Sequence, residues 1–154
     1  MVLIRLTYFS RNRLDRFNAP MSDRVSEILA VSAVNNRRDD VTGALIYDDK
    51  WFAQVLEGAE GTIATTFERI LRDQRHSDIS LVAMTRIVRR EFPNSAMTAV
   101  GYCPENADIF RRYTESRRFD PQVLPTARIG ELIEAVVSYD EGGPIVRCSA
   151  NTAA

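Results

Sequence analysis

The chain predicts an α+β fold, a five-stranded mixed sheet with two helices on one face and further helices at its C-terminal end. Two patterns carry that prediction. Short runs with period-two alternation of apolar residues take turns with runs whose apolar residues recur at helical spacing. The order of these runs is β-α-β-β-α-β-β. At 154 residues the chain has the length of one domain able to bury an ordinary core.

Val2–Phe9 alternates around Leu3, Ile4, Leu6 and Tyr8 and predicts the first strand. Ser10–Pro20 is polar and basic and reads as a loop. Ser22 then offers an N-cap, and Val25, Ile28, Leu29, Ser32 and Ala33 keep helical spacing through Asn35–Asn36. Thr42–Tyr47 and Trp51–Leu56 predict two strands joined by a tight hairpin over Asp48–Lys50. Gly61–Thr62 opens a second amphipathic helix carrying Ile63, Phe67, Ile70 and Leu71, which runs out near Arg75–His76. Ile79–Val88 and Met97–Tyr102 complete the sheet, with Pro93 in the loop between them. This is the split βαβ pattern of a ferredoxin-like sandwich plus one strand. The groove between its two helices is the natural ligand site. Beyond Pro104, Glu105–Arg118 and Ala127–Tyr139 predict two more helices around a Pro121–Pro125 linker, and Gly142–Ala154 reads as a frayed tail.

Net charge is −1, with 27% charged residues, which gives no electrostatic reason to expect nucleic acid or an anionic membrane as partner. The arginine pairs Arg37–Arg38, Arg89–Arg90, Arg111–Arg112 and Arg117–Arg118 read first as solvated element ends. Cys103 and Cys148 have no metal-ligand spacing and do not suggest a secreted disulfide scaffold. The opening MVLIRLTYFS is neither a signal peptide nor a spanning helix, so a soluble cytoplasmic protein is expected. One histidine, no paired metal ligands, no phosphate-binding glycine loop and no nucleophile elbow leave hydrolytic or metal catalysis little to stand on. The carboxylate pairs Asp39–Asp40 and Asp48–Asp49 sit at turns, where aspartate is expected.

The stretch Asn35–Gly58 holds the informative anomaly. Gln54 alternates with Phe52 and Leu56, so all three face one side of the sheet. If that side lies under the helices, a side-chain amide is buried, at a cost of roughly 1–3 kcal/mol for each unmet partner. Tyr8 can reach the same side, giving either a hydrogen-bond relay toward a ligand or a satisfied core pair. Asn35–Asn36 is a helix C-cap or a pair of amides presented to a planar heterocycle, and local sequence favours the cap. Arg72-Asp73-Gln74-Arg75-His76 complements a helix dipole or binds a phosphate or ribose at the groove mouth. Met97 is plain core or a soft wall against an aromatic ligand.

Together these residues resemble the BLUF family, the sensors of blue light using FAD, over about Val2–Tyr102. The resemblance rests on L-x-Y-x-S at Leu6–Ser10, N-N-R-R-D-x-V-T-G at Asn35–Gly43, F-x-Q-x-L-E-G at Phe52–Gly58 and R-D-x-R-H at Arg72–His76. It implies non-covalent FAD, no catalytic residues, no metal and a light-driven switch in place of turnover. Tyr8 is then the electron and proton donor, and Gln54 the amide whose rearrangement is the switch. Met97 and Ser32 neighbour that glutamine. Asn35 and Asn36 hold the C4 carbonyl and N3 side of the ring, Ile28 and Ile70 pack on its two faces, and Asp73, Arg75 and His76 stand near its ribityl, phosphate or adenosine portion. Residues 1–103 are then the sensor domain, 104–141 a helical extension and 142–154 a flexible tail. A homo-oligomer signalling to a separate partner protein is implied. The alternatives are a small flavin-dependent oxidoreductase and a flavin-free ferredoxin-like interaction module. Two features depart from the family: Ser95 stands where many members carry a tryptophan, and Ser10–Ser22 is longer than usual.

Overall fold

The computed structural model describes residues 1–16, 21–114 and 118–142. Its elements are β1 (Leu3–Asn12), α1 (Met21–Asp39), β2 (Thr42–Tyr47), β3 (Trp51–Ala59), α2 (Glu60–Leu71), β4 (His76–Arg86), β5 (Thr98–Gly101), α3 (Ala107–Tyr113) and α4 (Thr126–Gly142). Single helical turns at Leu14–Arg16 and Pro121–Val123 occupy the loop after β1 and the proline-bounded linker. The strands lie in the order β4-β1-β3-β2-β5. β3 is antiparallel to both β1 and β2, and β5 runs parallel to β2, so the sheet is mixed as expected.

β3 is the axis of the sheet, and its alternation explains the layers. Phe52, Gln54 and Leu56 face α1 and α2, where Ile4, Leu6, Tyr8, Val41 and Ile63 form one apolar cluster and Leu14, Val25, Leu45 and Tyr47 another. Trp51, Ala53 and Val55 face the other way, into a single cluster with Ile109, Phe110, Phe119, Ile129, Leu132, Ile133 and Val136. The C-terminal helices therefore cover the second face of the sheet, as their apolar spacing allows. Strand pairing also depends on a close backbone approach: a Cβ at Gly43 would lie 2.1 Å from the Val55 carbonyl oxygen, so glycine alone fits β2 there.

Several predicted boundaries move. α1 continues three residues past Asn36, and the left-handed residue after it is Asp40, with φ 54°. Asn35–Asn36 is thus within the helix, and the C-cap reading is overturned. Ser22 also lies inside α1, which starts at Met21. α2 stops at Leu71, and His76 is already the first residue of β4, paired with Asn12 at the end of β1, which runs three residues past the predicted Phe9. Arg75 and His76 therefore do not close a helix, and complementing its dipole does not account for them. β5 starts at Thr98, one residue after Met97. α3 is shorter than the run Glu105–Arg118, and α4 extends to Gly142. Arg117, Cys148 and the expected tail after Gly142 lie outside the described residues.

A cleft between two helices and the sheet

A cleft of about 260 Å³ opens between α1, α2 and the sheet. Every residue to which the resemblance gives a part in binding or switching lines it. Ile28, Ser32, Asn35 and Asn36 come from α1, Tyr8 and Gln54 from the sheet floor, Met97 from the edge of β5, and Ile70, Asp73, Arg75 and His76 from the end of α2 and the start of β4. The helix period places Ser32 and Asn36 one turn apart on one face of α1, while Ile28 and Ile70 stand on opposing walls.

The floor is built by register. Tyr8 and Gln54 are direct partners across β1 and β3, 4% and 7% exposed, and Leu45 is the partner of Gln54 on the β2 side. The Tyr8 hydroxyl donates to Gln54 Oε1. Gln54 Nε2 donates to Met97 Sδ at 3.3 Å. A thioether is a weak acceptor, so the amide is held firmly at one end and loosely at the other. Burial, with the charge of Asp73 in second place, pushes the Tyr8 phenol well above its ordinary value, so it keeps its proton through the physiological range. Phe67 packs on its ring at 5.6 Å between centroids, and the His76 ring stands edge-on at 6.3 Å.

Asn36 is buried, and its Nδ2 donates to the Ala96 carbonyl at 2.7 Å. No further hydrogen bond of this amide is made among the described residues, which leaves Oδ1 as an acceptor for a bound donor. At the mouth, Arg75 is turned onto Asp73, with Nε 2.8 Å from Oδ1. Burial raises the Asp73 pKa, but the hydrogen bonds from the Arg75 side chain and backbone outweigh it and hold the carboxyl below its ordinary value. His76 Nε2 lies 2.6 Å from the Ile70 carbonyl, and Nδ1 lies 2.7 Å from Ser10 Oγ. A carbonyl only accepts, so Nε2 carries a proton toward Ile70, while Nδ1 is paired with the serine hydroxyl. Both ring nitrogens are committed within the protein.

Other lining residues escape the sequence reading. Leu29 and Val31 extend the α1 wall, and Arg69 reaches from α2 to Asp39 of α1 at 2.9 Å, bridging the helices at one end of the cleft. Asp39 is held down to about 2 by its hydrogen bond to Arg38, with Arg69 adding to it. Arg69 lies one helical turn from Thr66 and four residues before Asp73, the one signal that would have placed it here.

The polar set fits a planar heterocycle: apolar walls on two sides, a loosely held amide in the floor and an amide oxygen on α1 open to a bound donor. The volume falls just below the usual span of ligand sites, roughly 300–1,000 Å³, which suits a ring system with its tail toward solvent.

A family model described as sensors of blue-light using FAD matches residues 3–98. Photoactivated adenylate cyclase subunit alpha of Euglena gracilis is 32% identical over 95 residues, covering 58% of this chain and 8% of that protein. The chain thus spans about a tenth or less of the length of the first curated relatives it matches. Among solved structures, BlsA in its photo-activated state superposes with TM-score 0.77 at 25% identity, covering 88% of this chain and 94% of that one. BlrB, a BLUF protein in its dark state, gives 0.69 at 29% identity, covering 87% and 96%.

Proposed function

Because the chain belongs to the BLUF family, the sensors of blue light using FAD, we propose that it is a photoreceptor holding FAD non-covalently in this cleft and signalling by rearranging the Tyr8–Gln54 pair. The observation that carries this reading is the buried phenol donating to an amide whose other end meets, among the described residues, a thioether alone.

In this reading Ile28 and Ile70 pack against the two faces of the isoalloxazine, and Asn36, with Asn35 beside it, binds its C4 carbonyl and N3 edge. Asp73 and Arg75 stand near the ribityl and phosphate portion, and His76, its nitrogens already engaged, supplies ring surface to that wall. The bound flavin supplies a strong oxidant once it has absorbed blue light. Tyr8 is the electron source, and its proton is already directed at an acceptor, Gln54 Oε1. Raised as it is, the phenol does not give up that proton ahead of the electron. The electron and the proton then return to Tyr8, and Gln54 is left turned or tautomerised, since its Nε2 contact to Met97 is weak enough to exchange. Ser32 and Met97 line the space into which the amide turns. Nothing is consumed, so the protein is a switch with no enzymatic turnover of its own.

The rearranged amide biases the residues leading into β5 and, behind them, the helices on the other face. We place the output in a light-dependent contact with a separate cytoplasmic partner protein, made by a homo-oligomer of this chain. No helix among the described residues is long and apolar enough to cross a membrane.

The absorption spectrum of the purified protein before and after blue light tests the reading. The expected result is a small, reversible red shift with the flavin still oxidised, lost in Tyr8→Phe and Gln54→Glu while flavin stays bound. Steady reduction of the flavin by an added substrate in the dark would favour an oxidoreductase. A protein that stays colourless with added FAD would favour the interaction module.

A further inference from the structure

The segment leading into β5 is clamped from two sides. Ser95 Oγ donates to the Gly43 carbonyl of β2 at 2.9 Å, and Gly43 N–H donates back to the Ser95 carbonyl at 3.0 Å. Ser95 Oγ also lies 2.7 Å from Thr98 Oγ1. A hydroxyl has one proton, so with that proton on Gly43 the serine oxygen accepts from Thr98. One residue on, the Ala96 carbonyl accepts from Asn36 of α1. Met97 stands between these clamps and the first residue of β5, with its sulfur against Gln54 Nε2.

We propose that Ser95 is a positioning residue for the switch: its hydroxyl latches the start of β5 to β2 and so keeps the Met97 thioether pressed against the Gln54 amide. This rests on the photoreceptor reading above. The consequence is a bias between two orientations of one amide. With Tyr8 donating to Oε1, the N–H end meets the sulfur, a donor against an acceptor. With the amide turned, oxygen meets sulfur, two acceptors with no proton between them. The latch denies Met97 a retreat, so the turned state is disfavoured and returns quickly. Without the Ser95 hydroxyl, Met97 withdraws and the turned state persists.

The test compares wild type, Ser95→Ala and Ser95→Thr, with flavin content measured first and expected to be equal. Labelled methionine-methyl NMR in the dark, with the Met97 resonance assigned through Met97→Leu, reads the latch in flavin-loaded and flavin-stripped protein alike. In Ser95→Ala that resonance should shift and broaden, and recovery after blue light should slow by about three-fold, the scale of one weak contact. Ser95→Thr, which keeps the hydroxyl, should restore both. An unmoved Met97 resonance, or recovery that is unchanged or faster, overturns the proposal. If Ser95→Ala does not fold, Thr98→Val removes the other hydroxyl and is judged by the same two readouts. A wild type without any light-induced shift defeats the photoreceptor reading instead, and the NMR comparison still decides the latch.

Discussion

The two faces of β3 are equally buried and chemically opposite. Trp51, Ala53 and Val55 point to α3 and α4 and merge into one continuous apolar cluster that includes Phe110, Phe119, Leu132 and Ile133. Phe52, Gln54 and Leu56 point to α1 and α2, where the apolar residues split into two smaller clusters. Between these lie the Tyr8 phenol, the Gln54 amide and Asn36, and Met97 packs against both clusters. Stability concentrates where packing is unbroken. The functional face forgoes contiguous packing for a polar-floored opening, and α1 keeps only Val25 and Asn36 fully buried among its described side chains.

The largest expected effect falls on the packed face. Phe110 is 1% exposed and stacks edge-on with Phe119 and Tyr102, so Phe110→Ala should cost about 3–5 kcal/mol in urea unfolding. Under conditions where it is folded, its light-induced shift should survive. A loss no greater than that of Gln54→Leu would break the comparison between the faces.

Next comes the rivet between them. Glu57 is fully buried and accepts from Arg5 Nε at 2.9 Å and from the backbone N–H groups of Glu91 and Phe92 at 3.0 Å. It thereby ties the loop before β5 to the strand that carries Gln54. Glu57→Gln keeps the shape but turns one acceptor end into a donor facing donors, and should destabilise by roughly 1–3 kcal/mol. Glu134 of α4 reaches the same region, where a hydrogen bond with Glu91 raises its pKa.

Tyr8→Phe should behave in the opposite way to Phe110→Ala, with about 1 kcal/mol of stability lost and the spectral shift abolished. It also changes the alkaline limb. The folded phenol pKa is raised, so its contribution is complete below the unfolded value of about 10 and is lost as pH rises above it. Wild-type stability should therefore fall more steeply above that point than the stability of Tyr8→Phe, as followed by denaturant titration across the pH series. The smallest effect is expected at the rim: Asp39→Asn breaks the solvent-side contact to Arg69 and should leave the neutral-pH unfolding midpoint unchanged within error.

Much of this layout can be read from period and motif. Alternation along Trp51–Leu56 is enough to put Gln54 beside Phe52 and Leu56, and the helix period is enough to align Ser32 with Asn36. What local pattern does not contain is long-range pairing. His76 belongs to β4 because Asn12 of β1 pairs with it, an interaction invisible in the run Arg72–His76. The end of α1 is missed for a related reason: Asn35–Asn36 is the more familiar cap, yet Asp40 takes the left-handed turn. Ser95 reads as a missing aromatic in sequence and as a two-sided clamp in space, because its partners Gly43 and Thr98 come from two different strands.

The central claim is that light changes the Gln54 side chain itself. Light-minus-dark infrared difference spectra of protein carrying isotope-labelled glutamine test it most directly. The account predicts a label-sensitive side-chain amide band that appears on illumination, decays with dark recovery and is absent from Gln54→Leu. A difference spectrum with no label-sensitive band, or with the same band in Gln54→Leu, would contradict it.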